Sequence, residues 1–215
     1  VKGGVIGRAH QRLTLLESAQ LKDQPPSHSA VFNTNNIWIH LPTLHRHIKS
    51  ILGHIDVIRN PKVVLGTDVV QLEIAMGAAM PFFKEAQLVT VNRDRFMPVK
   101  TTRDFMLMQS DAVTLHANGC FEFLANHTAP PLITLSHHYT TIQDYQALVR
   151  VPPSLKGVSK LTIEGAFCFK DLVTFKGHVH LISQQDVPIS LPQSSFENER
   201  VVYTKTGDIM RTPIQ

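Results

Sequence analysis

Four consecutive six-residue units over residues 161–184 constrain the fold of this chain more than any other feature of its sequence. In each unit the first and third residues are apolar, and the fifth residue favours a turn. The first residues are Leu161, Phe167, Val173 and Val179, the third are Ile163, Phe169, Phe175 and Leu181, and the fifth are Gly165, Asp171, Gly177 and Ser183. A short strand that points two side chains inward and then turns a corner repeats in this way. The pattern predicts a β-helix, because an ordinary meander lacks turns in phase at every sixth residue.

The segment before Pro152 differs, because strand-like and helix-like stretches alternate along it. Residues 12–18 and 87–91 are short and apolar and predict strands, whereas apolar residues at helical spacing follow Asn35, Thr67 and Thr101. The three stripes are Ile37, Leu41, Leu44 and Ile48; Val69, Leu72, Met76, Ala79 and Phe83; and Phe105, Met108, Ala112 and Leu115. Such alternation favours an α/β layer architecture.

Helix starts are marked by side chains that can cap them. Asp68 with Gln71, and Thr101 with Asp104, have the spacing of capping boxes. Pro42 is predicted to bend the first helix near its start.

Composition excludes several classes of protein. Hydrophobic residues make up 43% of the 215 residues and charged residues 18%, which excludes general disorder. The net charge of +4 is compatible with an anionic small substrate but too weak to indicate a nucleic acid partner. The apolar stretch at 74–83 is too short to span a bilayer, so no membrane segment is predicted.

Cysteine and histidine usage predicts neither disulfides nor a metal site. Cys120 and Cys168 stand far apart, and the histidine pairs lack a third ligand at a known spacing. Two thiols of this kind are typical of a reducing compartment, and no secretory signal pattern is visible, so a cytoplasmic location is expected. The start at Val1 rather than at Met predicts a processed product or a fragment of a longer protein.

The string from Phe32 to Trp38 carries several short amides directly before a predicted helix, and one of them is expected to be its N-cap. A cap needs one such residue, and the surplus amides can both donate to and accept from the hydroxyls of a sugar. An elaborate cap with Asx turns is the structural alternative.

Lys100 lies immediately before the helix that Thr101 is predicted to cap. The positive end of the helix dipole disfavours a lysine there unless an anion binds to the ammonium and the free backbone N–H groups. A solvated lysine is the alternative. The P-loop pattern GxxxxGK[ST] does not occur in the chain.

These residues carry a resemblance to a known family. The chain resembles the C-terminal part of the UTP–glucose-1-phosphate uridylyltransferases (UDP-glucose pyrophosphorylases) over essentially all its residues. The matching strings are Val1 to Gly4, Leu16 to Gln20, Phe32 to Trp38, Gln71 to Glu73 with Gly77 to Ala79, Arg95-Phe96 with Pro98 to Thr102, and Gln143 to Tyr145. The sister enzymes for UDP-N-acetylhexosamine lack the Asn-Thr-Asn-Asn string, so the resemblance favours glucose.

The resemblance implies a fold and a reaction. Residues 1–150 are expected to form the C-terminal, sugar-binding part of a Rossmann-like nucleotidyltransferase domain, and residues 151–215 a short left-handed β-helix. The family makes UDP-glucose and diphosphate from UTP and glucose 1-phosphate, with Mg²⁺. A homo-oligomer through the β-helix is implied as well.

The resemblance also implies roles for single residues. Lys100 resembles the lysine that contacts the phosphates and stabilises charge in the transfer step. The substrate-binding residues implied are Gly3, Gly4, Glu17, Phe32, Asn33 and Asn35, with Glu17 accepting hydrogen bonds from glucose hydroxyls.

Departures from the family pattern leave other interpretations open. Ser18 stands where the family has Ile, and Arg103 where it usually has Ser. The family's nucleotide loop, uracil-binding residues and metal-binding Asp all precede Val1, so this chain alone is expected to be inactive. The alternative function for this chain is that of a non-catalytic assembly subunit. A hexapeptide acyltransferase is a weaker alternative, because such an enzyme needs more six-residue coils than this sequence has.

Overall fold

The computed structural model describes residues 4–9, 11–16, 31–123 and 130–214. It divides into two compact units, Val1–Thr90 and Val91–Gln215. No helix in the described part of the chain has both the length and the apolar character needed to cross a membrane.

The described residues of the first unit form two antiparallel hairpins, one α-helix and a 3₁₀ segment. β1 (Val5–Ala9) pairs with β2 (Arg12–Leu16), and β3 (Ile58–Val64) pairs with β4 (Thr67–Glu73). α1 runs over Leu41–His54 and the 3₁₀ segment over Met76–Phe82. Among its described residues, the buried apolar side chains are Leu13, Leu15 and Ile51.

Two predictions for this unit are confirmed in part. β2 lies within the stretch predicted as a strand, and alternate residues Leu13 and Leu15 point into the interior. The first predicted helix exists but begins only at Leu41. Pro42 therefore lies in its first turn, where its missing N–H costs nothing, and does not bend the helix.

The helix predicted after Thr67 is wrong over residues 67–73, because these belong to the β3–β4 hairpin, whereas Met76 and Ala79 of the same predicted stripe lie in the 3₁₀ segment. Leu65 and Gly66 both have positive φ, 50° and 78°, as the tight turn of a hairpin requires. Asp68 pairs with Val63 across the hairpin and caps nothing. The neighbouring β-branched residues of β4 suit a pleated strand better than a helix. The strand predicted over 87–91 is also wrong, since those residues are irregular.

In its described residues the second unit has two short α-helices and nine strands. α2 spans Thr102–Gln109 and α3 spans Ile142–Leu148. The strands are β5 (Val113–Leu115), β6 (Phe121–Phe123), β7 (Leu132–Leu135), β8 (Ser154–Glu164), β9 (Phe167–Phe169), β10 (Val173–Ser183), β11 (Ile189–Leu191), β12 (Ser194–Tyr203) and β13 (Ile209–Pro213). The chain is therefore a mixed α/β protein with mostly sheet content.

Strands β8 to β12 form a parallel arrangement that we call the coil stack. β7, β8, β10 and β12 are parallel neighbours in one sheet, which antiparallel β13 closes, while β9 and β11 pair in another. Leu161 lies opposite Val179, three six-residue units further along the chain. All eight first- and third-position side chains of the repeat are fully buried. The repeat therefore sets both the strand stacking and the core.

The fifth, turn-forming positions of the repeat do not all form corners between strands. Gly165 forms a corner after β8 with φ +92°, where a Cβ would lie 2.7 Å from the Cβ of Ser183. Gly177, with φ +61°, instead lies inside β10 at a shift in strand register. A Cβ there would overlap the side chain of Asn198, whose Oδ1 accepts a hydrogen bond from the N–H of His178. The repeat thus bends β10 without ending it.

The third predicted helix is confirmed as α2, but its buried face differs from the predicted stripe. Met106 and Leu107 are buried, whereas Met108 is 38% exposed and Leu115 lies in β5. The helix ends at Gln109, so residues beyond it cannot continue a helical stripe.

Phe175→Ala should lower the free energy of unfolding by about 3–5 kcal/mol, as expected for a fully buried phenylalanine. The Phe175 ring stacks on Phe196 at 5.6 Å and meets Phe169 edge-on at 6.2 Å. Leu172→Ala, at a half-exposed corner, is the control and should cost less than about 1 kcal/mol. Urea denaturation measures both, and equal losses would contradict the packing of this ring.

Candidate functional site

The asparagine string is anchored to the start of β1. The N–H of Asn33 donates to the carbonyl of Gly4 at 2.9 Å, and Phe32 forms an antiparallel bridge with Val5. The N–H of Ile6 donates to the carbonyl of Val31 at 3.0 Å. The segments that carry Gly4, Phe32, Asn33 and Asn35 therefore lie side by side.

The amides of this string bind each other. Nδ2 of Asn33 donates to Oδ1 of Asn35 at 2.8 Å, and the N–H of Asn35 donates to Oδ1 of Asn33 at 3.2 Å. Asn36 likewise donates to Thr34. Asn35 has a positive φ of 58°, a conformation that asparagine tolerates better than most residues. These contacts hold two side-chain amides in a defined orientation.

The expectation that one of these amides caps α1 is wrong. The residue that precedes α1 is His40, and no side-chain hydrogen bond caps it. Four residues separate Asn36 from α1, so the amide string is a turn structure of its own.

A groove of about 520 Å³ lies beside the β1–β2 hairpin. It is lined by Ile6, Gly7, Arg8, Leu13, Ala86, Gln87 and Leu88. The predicted substrate residues that the structure describes are not among them, although Gly4 lies two residues before Ile6 on the same chain segment.

Lys100 lies in the second unit, at the end of a segment that several contacts hold in place. Arg95 donates to the carbonyl of Asn118 at 2.8 Å, which ties the segment to the turn between β5 and β6. Met97 packs against the core of the unit. Lys100 itself is exposed, so its ammonium can reach a ligand in solvent.

Asp104 organises the start of α2. Its Oδ2 accepts hydrogen bonds from the N–H of Lys100 at 3.0 Å and the N–H of Thr101 at 2.9 Å. It also accepts one from the hydroxyl of Thr101 at 2.9 Å. The predicted capping box is thus confirmed. The N–H groups of Lys100 and Thr101 are occupied, so the expectation that they share an anion with the ammonium is wrong for these two.

The charge of Asp104 is stabilised by the same contacts. Partial burial opposes ionisation, but the hydrogen bonds from Lys100 and Thr101 outweigh it and lower the pKa of this carboxyl. Arg103 contributes less, since its Nε lies 3.7 Å from Oδ1 and the side chain is more than half exposed. A negative charge at a helix N-terminus also interacts favourably with the helix dipole.

Two predicted substrate residues, Gly3 and Glu17, lie outside the described residues. Among those that are described, no three His, Cys, Asp or Glu side chains cluster in a way that could hold a metal ion.

One contact in the second unit has no counterpart in the sequence interpretation. The carboxylate of Asp111, just after α2, accepts three hydrogen bonds from the start of β8. The sequence offered only an aspartate after a helix, which is a common surface residue.

Comparison with known proteins identifies the class first. The family described as UTP–glucose-1-phosphate uridylyltransferase matches residues 1–176. UTP–glucose-1-phosphate uridylyltransferase 2 of Dictyostelium discoideum is 36% identical over 211 residues, which are 94% of this chain and 42% of that protein. The enzyme of Pyrus pyrifolia is 34% identical over 206 residues, 91% of this chain and 43% of that protein.

Solved structures agree with this class. UDP-glucose phosphorylase from Trypanosoma brucei matches with a TM-score of 0.64 and 35% identity, over 94% of this chain and 47% of that one. A mutant UDP-glucose pyrophosphorylase from Leishmania major, in complex with UDP-glucose, matches with a TM-score of 0.65 and 29% identity, over 94% and 48%.

The chain belongs to the UTP–glucose-1-phosphate uridylyltransferase family. It spans less than half the length of the curated relatives that it matches. The resemblance stated from the motifs is confirmed.

Asp104→Ala should lower the free energy of unfolding by about 1 kcal/mol at pH 7, because it removes the cap from Lys100 and Thr101. Since the folded-state pKa is lowered, the stabilisation by the charge is complete above the ordinary aspartate pKa and is lost as the pH falls through the lowered value. Denaturation at pH 7 and at about pH 3 tests this. Asp94→Ala, at an exposed site, is the control, and a difference that does not shrink at low pH would contradict the role of the charge.

Proposed function

We propose that this chain supplies the sugar-binding part and the phosphate-contacting lysine of a UTP–glucose-1-phosphate uridylyltransferase. The observation that carries the proposal is the family match over residues 1–176, which includes all the candidate site residues. The pairing of Asn33 with Gly4, and the held segment before Lys100, agree with it.

The proposed reaction transfers a uridylyl group. A phosphate oxygen of glucose 1-phosphate attacks the α-phosphorus of UTP, the bond to the β-phosphate oxygen breaks, and diphosphate leaves. Charge builds up on the phosphate oxygens during this step, and a fixed ammonium placed there stabilises it. The exposed ammonium of Lys100 takes this role, while the protein otherwise acts by holding the two substrates in line.

The glucose is held by the segments around Gly4 and Asn33. The carbonyl of Gly4 is occupied by Asn33, so Gly4 contributes a close backbone approach. The side-chain amides of Asn33 and Asn35 orient each other and offer donors and acceptors to sugar hydroxyls. Phe32 lies beside them and shapes the pocket, and Gly3 and Glu17 complete it as the resemblance implies.

Exposed apolar side chains of the first unit support a larger nucleotidyltransferase domain. Trp38 is 97% exposed, and the other large exposed apolar residues include Leu52, Val63, Leu72, Ile74 and Val89. A surface this apolar is typical of one that packs against another part of a protein. The remainder of a Rossmann-like domain, of which residues 1–150 form the C-terminal part, is the proposed cover.

Residues 151–215 are proposed to form a short left-handed β-helix. β8, β10 and β12 pair in parallel in one sheet, and β9 and β11, which alternate with them along the chain, pair in another. This alternation supports a coil that completes one turn in three six-residue units. Self-association through this domain, a cytoplasmic location and a requirement for Mg²⁺ stay predictions of the resemblance.

Lys100→Ala should lower kcat by about 10²–10³-fold in the full-length protein that contains this chain, the range for loss of one charge-stabilising group. Lys205→Ala, at an exposed turn, is the matched control and should leave kcat unchanged. Uridylyl transfer from UTP to glucose 1-phosphate is the assay. If the Lys100 variant kept activity within about threefold of the parent, the alternative interpretation of Lys100 as a solvated lysine without a catalytic role would be correct.

Asn33→Ala, Asn35→Ala or Glu17→Ala should each weaken glucose 1-phosphate binding by about 1–3 kcal/mol, with UTP affinity little changed. The neighbouring Asn36→Ala is the control, because Asn36 contacts Thr34 and is not among the residues assigned to the sugar. Calorimetric titration of the full-length protein that contains this chain measures both affinities. Equal weakening for both substrates would mean that these residues hold the fold and not the sugar.

A further inference from the structure

Helix α2, which begins two residues after Lys100, is held at both ends by its own unit. At its start the hydroxyl of Thr102 donates to the carbonyl of Tyr139 at 2.5 Å. At its end Gln109 accepts a hydrogen bond from the hydroxyl of Tyr145 at 3.0 Å. Met106, between them, is fully buried in the core that includes the coil stack. The helix therefore has little freedom to move by itself.

Asp111 ties the far end of α2 to the coil stack. Its Oδ1 accepts hydrogen bonds from the N–H groups of Leu155 at 2.8 Å and Lys156 at 3.1 Å. Its Oδ2 accepts one from the hydroxyl of Ser154 at 2.6 Å. Hydrogen bonds to an ionised acceptor are stronger than those between neutral groups.

The pairing of β8 with β10 is irregular where Asp111 contacts β8. Between Ser154 and Gly157 of β8 two residues face a single residue of β10, so the register shifts. A bulge of this kind removes backbone groups from regular pairing. Asp111 takes up the two N–H groups at the bulge, which joins α2 to the first strand of the stack.

We propose that Asp111 is a positioning residue for Lys100, an inference that rests on the proposed function. Lys100 is bonded through its N–H to Asp104 on α2, and α2 is bonded through Asp111 to the coil stack. The eight residues of α2 span about 12 Å, so Asp111 acts on Lys100 through a rigid helix. Direct Coulomb interaction between the two exposed side chains is screened over this distance.

In this proposal the coil stack contributes to catalysis by fixing the position of Lys100. The stack supplies most of the buried side chains in the core of the unit, so a lysine whose segment is fixed to the stack keeps its position when substrates bind. A misplacement of a catalytic group by about 1 Å can cost about 100-fold in rate. Loss of the Asp111 contacts should therefore reduce turnover more than it reduces substrate binding.

A double-mutant cycle in the full-length protein tests the proposal. Asp111→Ala should lower kcat about 10-fold when Lys100 is present and less than about twofold in the Lys100→Ala background, with the KM for UTP unchanged. Asp111→Asn, which keeps an acceptor oxygen for the two N–H groups, should retain kcat within about threefold. Asp171→Ala, at an exposed corner of the stack, is the control. Equal losses of kcat in both Lys100 backgrounds would overturn the proposal.

Hydrogen exchange gives a readout that does not depend on activity. In the 215-residue chain, Asp111→Ala should speed exchange in the peptide that covers residues 100–109 about 10-fold, and Asp171→Ala should not. Unchanged exchange in this peptide overturns the proposal. If Lys100→Ala leaves activity intact, the assigned role of Lys100 fails, and the exchange result alone then decides whether Asp111 holds this segment.

Discussion

The second unit depends on one constraint: apolar side chains must be buried in pairs in the interior of the coil stack. Each six-residue unit contributes two side chains to the interior, and all eight are fully buried. Burying a side chain of this size contributes about 1.5–3 kcal/mol. A single unit cannot achieve this, because its pair is covered only when the next pass of the chain lies against it. The helices and the short strands of the unit then pack on the core that results.

Two tyrosines connect the coil stack to the helices. The hydroxyl of Tyr139 donates to the carbonyl of Phe167 and accepts from its N–H, both at 3.0 Å, so a fully buried phenol is satisfied. Burial raises the pKa of Tyr139, and it raises the pKa of Tyr145 to about 12. Both phenols are therefore neutral at physiological pH and serve as fixed hydrogen-bond partners. The backbone carbonyl of Tyr139 accepts a hydrogen bond from Thr102, and the phenol of Tyr145 donates one to Gln109, so both residues hold the helix that follows Lys100.

The two units hold their candidate functional residues in different ways. Lys100 stands on a segment tied to a large core, whereas the asparagine string is held mainly by backbone pairing with the start of β1 and by its own amides. Buried apolar side chains are few in the described part of the first unit, and large apolar ones are exposed. A site of this kind gains precision when further protein covers it, which is why the sugar-binding proposal is tested in the full-length protein.

The sequence by itself determined the features whose causes are local or periodic. The repeat over residues 161–184 predicted the eight core positions, because a period of six specifies which side chains face inward. The corner that it predicted at Gly177 is wrong, since this glycine lies inside β10. The capping box of α2 was predictable because Thr101 and Asp104 are three residues apart. The family was recognisable from short ordered motifs.

The tertiary structure decided what depends on partners distant in the chain. Residues 67–73 read as a helix because apolar spacing alone cannot show that β3 is there to pair with them. The Asn33–Gly4 contact joins residues 29 positions apart, and the contacts of Asp111 span more than 40. Such contacts form only when the fold brings their backbone groups together, and no local pattern encodes them.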